Sequence, residues 1–138
     1  MANEAVCIET PSKFGRATIS AGAVLTFGTL VYWSGNNTVS ATSSADQPFA
    51  GIVWERVSTA TSTHTEITLA LDGVWDILTD AGSDNVGVMV SLAGANTVGT
   101  GDATDYINGA FVGFLEEASG NATTDRVRLT KFGSSGKL

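Results

Sequence analysis

The sequence predicts a mainly β protein: a small barrel or sandwich of two tandem repeats, each of about 60 residues, with at most short helices. Three observations carry this. The composition is 43% hydrophobic and only 15% charged, against roughly a quarter charged in an average domain. What remains is largely Gly, Thr, Ser and Asn. Thr and Val suit a pleated, half-buried surface and Gly and Asn suit tight turns, whereas a helical bundle would draw on Glu, Lys, Leu and Arg. Short β-branched and aromatic runs recur between turn signals, as in sandwiches and barrels. Finally, glycines, asparagines and apolar residues repeat in the same order along the chain.

Residues 1–14 stand apart, with Pro11 and a short apolar stretch Ala5-Val6-Cys7-Ile8. They are expected to form an extended, flexible arm, because chain ends are loose unless tied down. Pro11 excludes a regular helix throughout, and Val6 and Ile8 would share one face of a strand. Next, Leu30-Val31-Tyr32-Trp33 is broken by Ser34-Gly35-Asn36-Asn37 and resumes at Thr38-Val39-Ser40, which predicts a hairpin. Glu66 to Asp72 alternates, placing Ile67, Leu69 and Leu71 on one face and Thr68 and Ala70 on the other. Val74, Trp75 and Ile77 continue beyond Gly73, where a bulge or bend is expected. Residues 84–90 are expected to hold at most one helical turn, capped by Ser83 or Asp84. Gly133-Ser134-Ser135-Gly136 opens a flexible tail over 134–138.

The repetition is ordered. Ser20-Ala21-Gly22 precedes Gly28-Thr29-Leu30-Val31 as Asp80-Ala81-Gly82 precedes Gly87-Val88-Met89-Val90. Gly35-Asn36-Asn37-Thr38-Val39 matches Gly94-Ala95-Asn96-Thr97-Val98, and Phe49-Ala50-Gly51-Ile52-Val53 matches Phe111-Val112-Gly113-Phe114-Leu115, with Glu55 against Glu117. Ile67-Thr68-Leu69 is set against Val127-Arg128-Leu129, and Gly73 against Gly133. A single β domain over 15–133 is expected, with repeats at about 17–73 and 77–133.

Charge and composition exclude several classes of function. Fourteen acidic and seven basic residues give a net charge of −7, which repels a phosphate backbone and an anionic membrane surface alike, so neither nucleic acid nor membrane is an expected partner. Cys7 is the single cysteine, so no intrachain disulfide or cysteine-based metal site can form. Met1 to Thr10 lacks the basic start of a signal peptide, and no stretch reaches the roughly 18 apolar residues of a membrane helix. Synthesis and retention in a reducing, aqueous compartment are expected.

No motif carries chemistry. His64, the one imidazole, sits in the polar connector Ser58 to Thr65 with no G-x-S-x-G elbow to serve. Glu116-Glu117 and Asp72, Asp76, Asp80, Asp84 are carboxylates that strands and loops would scatter as solvated charge, unlike a glycosidase pair or a calcium cage. Asp102-Ala103-Thr104-Asp105 lies in the longer loop of the second repeat without a full calcium-loop pattern. Gly133 to Lys137 has the wrong spacing for a phosphate loop, and Asn36-Asn37-Thr38 and Asn121-Ala122-Thr123 are glycosylation acceptors only in a secreted chain. No catalytic residue, metal or cofactor is expected. Trp33, Trp54 and Trp75 could form a sugar-stacking platform, but core or subunit packing suits their apolar strand neighbours better.

Gly28-Thr29-Leu30-Val31-Tyr32-Trp33, Phe49 to Val53 and Ile67 to Trp75 resemble the small head-decoration (capsid cement) proteins of lambda-like bacteriophages, over roughly Arg16 to Gly133. The resemblance implies a β-rich, non-enzymatic structural protein that binds the major capsid protein on the outside of the phage head as a homotrimer and stabilises the shell. It also implies synthesis in the host cytoplasm and an N-terminal arm that engages the capsid, here through Val6, Ile8, Pro11 and Phe14. The alternative expectation is a head-fibre or receptor-binding module recognising host surface glycans, which exposed, co-planar Trp or Tyr rings would favour.

Overall fold

A computed structural model describes residues 4–20, 22–56, 65–79, 86–118 and 124–130. Within them the elements run β1 (Val6–Glu9), β2 (Phe14–Thr18), β3 (Leu30–Gly35), β4 (Thr38–Ala41), β5 (Phe49–Val53), β6 (Glu66–Ala70), β7 (Val74–Thr79), β8 (Met89–Gly94), β9 (Thr97–Thr100), α1 (Ala103–Asn108), β10 (Phe111–Glu117) and β11 (Thr124–Leu129). The first barrel closes in the order β2-β4-β3-β5-β6. The second runs β7-β11-β10-β8-β9 and closes where β9 returns to β7, with β1 added on β7. The chain is thus mainly β and built of small barrels, the fold class its sequence predicts.

The two barrels share one wiring diagram. The opening strand pairs antiparallel with the closing strand (β2–β6, β7–β11) and parallel with the return strand of the hairpin (β2–β4, β7–β9). The hairpins β3–β4 and β8–β9 each carry a register shift just before the turn, at Trp33/Gly35 and Leu92/Gly94. Each turn needs one left-handed residue, supplied by Asn37 at φ 49° and Asn96 at φ 52°, because asparagine tolerates that region better than other side chains. Val31 faces Gly51 and Tyr32 faces Phe49; Val90 faces Gly113 and Ser91 faces Phe111. The closing strands correct one expected match. Val53 faces Leu69 and Leu115 faces Val127, so Val127 corresponds to Leu69 rather than to Ile67. A slip of two residues leaves every side chain on its own face, so alternation in the sequence could not reveal it.

Apolar residues fill two clusters. One lies within the first barrel, around Ala17, Val31, Val39, Val53, Ile67 and Leu69. The other fills the second barrel, around Ile77, Val90, Val98, Leu115 and Val127, and continues without a break through Leu30, Phe49, Ile52 and Ala70 of the first. Ala70 was expected on the face opposite Leu69. It is fully buried none the less, because the second barrel covers the outer side of β6 there. A buried Leu or Ile contributes about 1.5–3 kcal/mol, so this shared cluster binds the barrels firmly.

The turn of the second hairpin locks that junction. Asn96 is buried; its side-chain Oδ1 accepts the Leu30 N–H at 2.9 Å and its own N–H donates to Thr42 Oγ1 at 2.9 Å. Ser44 and Gly94 form a bridge beside it, and the Phe49 N–H donates to Gly109 O at 2.9 Å.

Two expectations are corrected here. The flexible arm over 1–14 does not hold for residues 4–14. Val6 and Cys7 pair with Asp76 and Trp75, the Ala5 N–H donates to Gly28 O, and Ala5 is part of the core. Asp72 then captures the connector by accepting from Ser12 N–H at 2.7 Å, Ser12 Oγ at 2.6 Å and Lys13 N–H at 3.0 Å. An unpaired sheet edge takes up an extended strand, and the nearest one belongs to the same chain. The single helical turn expected over 84–90 is not formed in its described part, where Val86 and Gly87 make a turn and Met89 opens β8. The helix lies instead at α1, fixed by a capping box in which Asp102 and Asp105 each accept the other's backbone N–H, the pair read from sequence as a loop. Gly73, at φ 96°, makes the bend between the barrels. The tail over 134–138, His64, Asp80, Asp84 and Asn121 to Thr123 lie outside the described residues.

Candidate docking surface

Four aromatic rings gather where β1, the first barrel and the second barrel meet. Trp75, fully buried, is the floor. Trp54 meets it edge-on, at 5.9 Å between centroids and 86° between planes. Phe27 lies 4.8 Å from Trp54 and 6.1 Å from Trp75, and Phe14 lies 5.6 Å from Trp54. Phe27 is 42% and Phe14 46% exposed, so an aromatic surface backed by a rigid core faces solvent. The Trp75 indole N–H donates to Asp72 O at 3.2 Å and fixes the floor.

Local sequence explains the placement. Phe14 opens β2, Trp54 follows β5 directly, and Phe27 precedes Gly28, whose φ of 93° only glycine adopts readily. Gly28 also accepts β1 so closely that a side chain there would strike Ala5 O. At the other end Thr26 Oγ1 donates to Glu4 Oε2 at 2.6 Å; this bond, foremost, holds the Glu4 carboxyl below its ordinary pKa.

The sequence-predicted contact residues are distributed unevenly. Val6 and Ile8 are exposed on β1, next to the loop that carries Phe27. Phe14 belongs to the aromatic surface itself. Pro11 is buried and packs near Gly73, which corrects its assignment as a contact residue. Of the tryptophans, Trp75 is core, Trp54 half-buried in the aromatic cluster, and Trp33 37% exposed on β3, away from both. Phe27 was missed, since an isolated phenylalanine in a loop gives no periodic signal.

The rings are tilted at 38–86° to one another, so they do not make the flat stack that would grip a sugar face. Of the acidic residues singled out from sequence, Glu116, Glu117 and Asp76 are ion-paired. Arg128 binds Glu116 at 2.5 Å and Glu9 at 3.3 Å, while Arg126 binds Asp76 at 3.0 Å and Glu117 at 3.6 Å. A shallow cleft is lined by Asp76, Glu117, Ala118, Thr124 and Arg126, whose charges are satisfied by one another. Among the described residues no three His, Cys, Asp or Glu side chains converge as metal ligands, and no helix is long and apolar enough to cross a membrane. Burial raises the pKa of the half-buried Cys7 thiol, the reverse of what a nucleophile needs.

No family model matches the sequence, and no curated protein is significantly similar to it.

Proposed function

We propose that this chain is a non-enzymatic structural protein that binds the outside of a bacteriophage head, contacts the major capsid protein and stabilises the shell as a homotrimer. The observation that carries the reading is the aromatic surface of Phe14, Phe27 and Trp54 on its Trp75 floor; Val6, paired with Asp76, is exposed on the other face of β1. Rigid, exposed aromatic side chains are the usual anchors of protein interfaces, since they bury a large area at small entropic cost. Two cross-packed barrels with an internal latch suit a protein whose task is to resist deformation. A trimer multiplies a weak single contact through effective concentration, and binding only the expanded shell stabilises that state by linkage. The tilted rings favour a protein partner over the glycan-binding alternative.

The test is decoration. Purified protein mixed with expanded empty capsids and imaged in negative stain should add density on the outer surface. Phe27→Asp, which puts a charge at the centre of the aromatic surface, should abolish that density while the protein stays folded. Undiminished decoration by Phe27→Asp moves the contact elsewhere, and no decoration by the unaltered chain ends the reading.

A further inference from the structure

We propose that copies of this chain associate head to tail, the β3–β4 tip of one copy docking on the outer face of the next copy's second barrel. The junction so formed repeats the one that joins the two barrels within the chain. The inference rests on the self-association part of the proposed function and not on capsid binding.

The internal junction is asymmetric. The tip of the second barrel, Leu92 to Asn96, is seated on the first barrel: Asn96 bonds Leu30 and Thr42, and Leu92 lies in the apolar cluster shared with Leu30, Phe49 and Ile52. The same tip exists on the first barrel, with the same register shift and the same left-handed asparagine. There Trp33 stands where Leu92 stands, and Asn37 where Asn96 stands. Trp33, Asn36 and Asn37 are all exposed.

The receiving face is duplicated too. On the first barrel it is a cross-strand row, Leu30 beside Ile52 beside Ala70, fully buried under the second barrel. The matching row on the second barrel is Met89 beside Phe114 beside Arg128. Phe114 is 36% exposed, and Arg128 is exposed as well. Phe114 is supported from below by Phe111 at 5.4 Å, edge to face, as a contact residue needs to be.

Among the described residues one barrel therefore has an occupied face and an exposed tip, the other a seated tip and a partly exposed face. A second copy supplies both missing halves. The contact is heterologous, and such contacts close into rings or grow into filaments; with the proposed trimer, three chains would set their barrels alternately around one axis. The copied junction differs in chemistry. Gly101 replaces Thr42, so the bond to the Thr42 hydroxyl has no equivalent, while Trp33 against Phe114 and Arg128 offers more aromatic and cation–π contact than Leu92 against Ile52 and Ala70.

A heterologous contact has a signature that a two-fold contact lacks. Sedimentation velocity of the unaltered chain should show a trimer. Trp33→Glu spoils only the tip and Phe114→Glu only the face, so each alone should sediment as a monomer. Mixed in equal amounts they should form a dimer that grows no further, because the intact tip of one meets the intact face of the other. Asn36→Arg, at an exposed turn, repeats the tip test should Trp33→Glu unfold by circular dichroism. The proposal is overturned if the single variants assemble like the unaltered chain, if the mixture stays monomeric, or if the unaltered chain is a monomer throughout. A trimer indifferent to these variants that still decorates capsids would leave the proposed function standing and remove only this geometry.

Discussion

Replacing Asn96 by Ala tests the latch between the barrels, and the internal duplication supplies its own control. Two costs arise. Alanine in the left-handed region is strained by roughly 1–2 kcal/mol. Loss of Oδ1 also leaves the buried Leu30 N–H without the acceptor now 2.9 Å away, at about 1–3 kcal/mol. The sum is roughly 2–5 kcal/mol. Asn37 has nearly the same φ, 49° against 52°, but is exposed, so Asn37→Ala should show only the strain. The difference between the two variants isolates the hydrogen bond at about 1–3 kcal/mol. Urea unfolding followed by tryptophan fluorescence reads it, since Trp75 lies in the shared core. The measurement belongs at dilutions where the chain is monomeric, because Asn37 lies on the proposed contact tip. Equal destabilisation by the two variants would refute the latch.

Three further outcomes follow from the geometry. Gly113→Ala should prevent the second barrel from closing, since a Cβ there would collide with the main chain at Arg128, whereas Gly94→Ala meets nothing and should be near neutral; soluble yield and circular dichroism decide. Partial burial pushes the Asp72 carboxyl up, but hydrogen bonds from the Ser12 hydroxyl and the Lys13 and Ser12 N–H groups outweigh it and bring its pKa below the ordinary value. Its contribution is therefore complete above about pH 4 and lost as pH falls through the lower folded value; Asp72→Asn should flatten melting temperature against pH in that acid window, and an unchanged slope would assign it to other carboxylates. Cys7, half-buried with a raised pKa, should react with iodoacetamide at least tenfold more slowly in the native protein than in urea, and an equal rate would mean that β1 is not docked.

Much of the fold was legible in the sequence because it rests on local physics. The hairpins were visible in Gly35 to Thr38 and Gly94 to Thr97, where turn chemistry alone sets the backbone, and the repeat was visible because both copies need those residues at the same steps. What the sequence withheld depends on distant packing. Ala70 reads as the outward half of an alternating strand until a second barrel is laid over it. Val6 and Ile8 read as a free arm until β7 offers an edge, and Pro11 reads as a breaker rather than as packing for Gly73. The aromatic surface was half legible: Phe14 and Trp54 stand beside strands, but Phe27 joins them only through a turn at Gly28 and a contact with Trp75, forty-eight positions along the chain.

The duplication also explains why exposed apolar groups lie where they do. In an array of repeats each unit covers its neighbour, and the terminal units need polar caps on the surfaces left over. Both leftover surfaces here are capped only in part. The first barrel's tip is polar at Ser34, Asn36 and Asn37 but ends on Trp33. The second barrel's face is screened by Arg128 with Glu9 and Glu116, yet Phe114 beside Arg128 is still 36% exposed. A chain selected to stay alone would gain solubility from a polar residue at either position, since each large exposed ring adds to a sticky patch. Both positions carry rings, at corresponding places on two surfaces already complementary within the chain. Trp33→Ser and Phe114→Ser should therefore leave the monomer folded, with a cooperative melting transition, and lower the self-association constant at least tenfold. A large loss of monomer stability instead would show that the two rings serve the fold of their own barrels and not a neighbour.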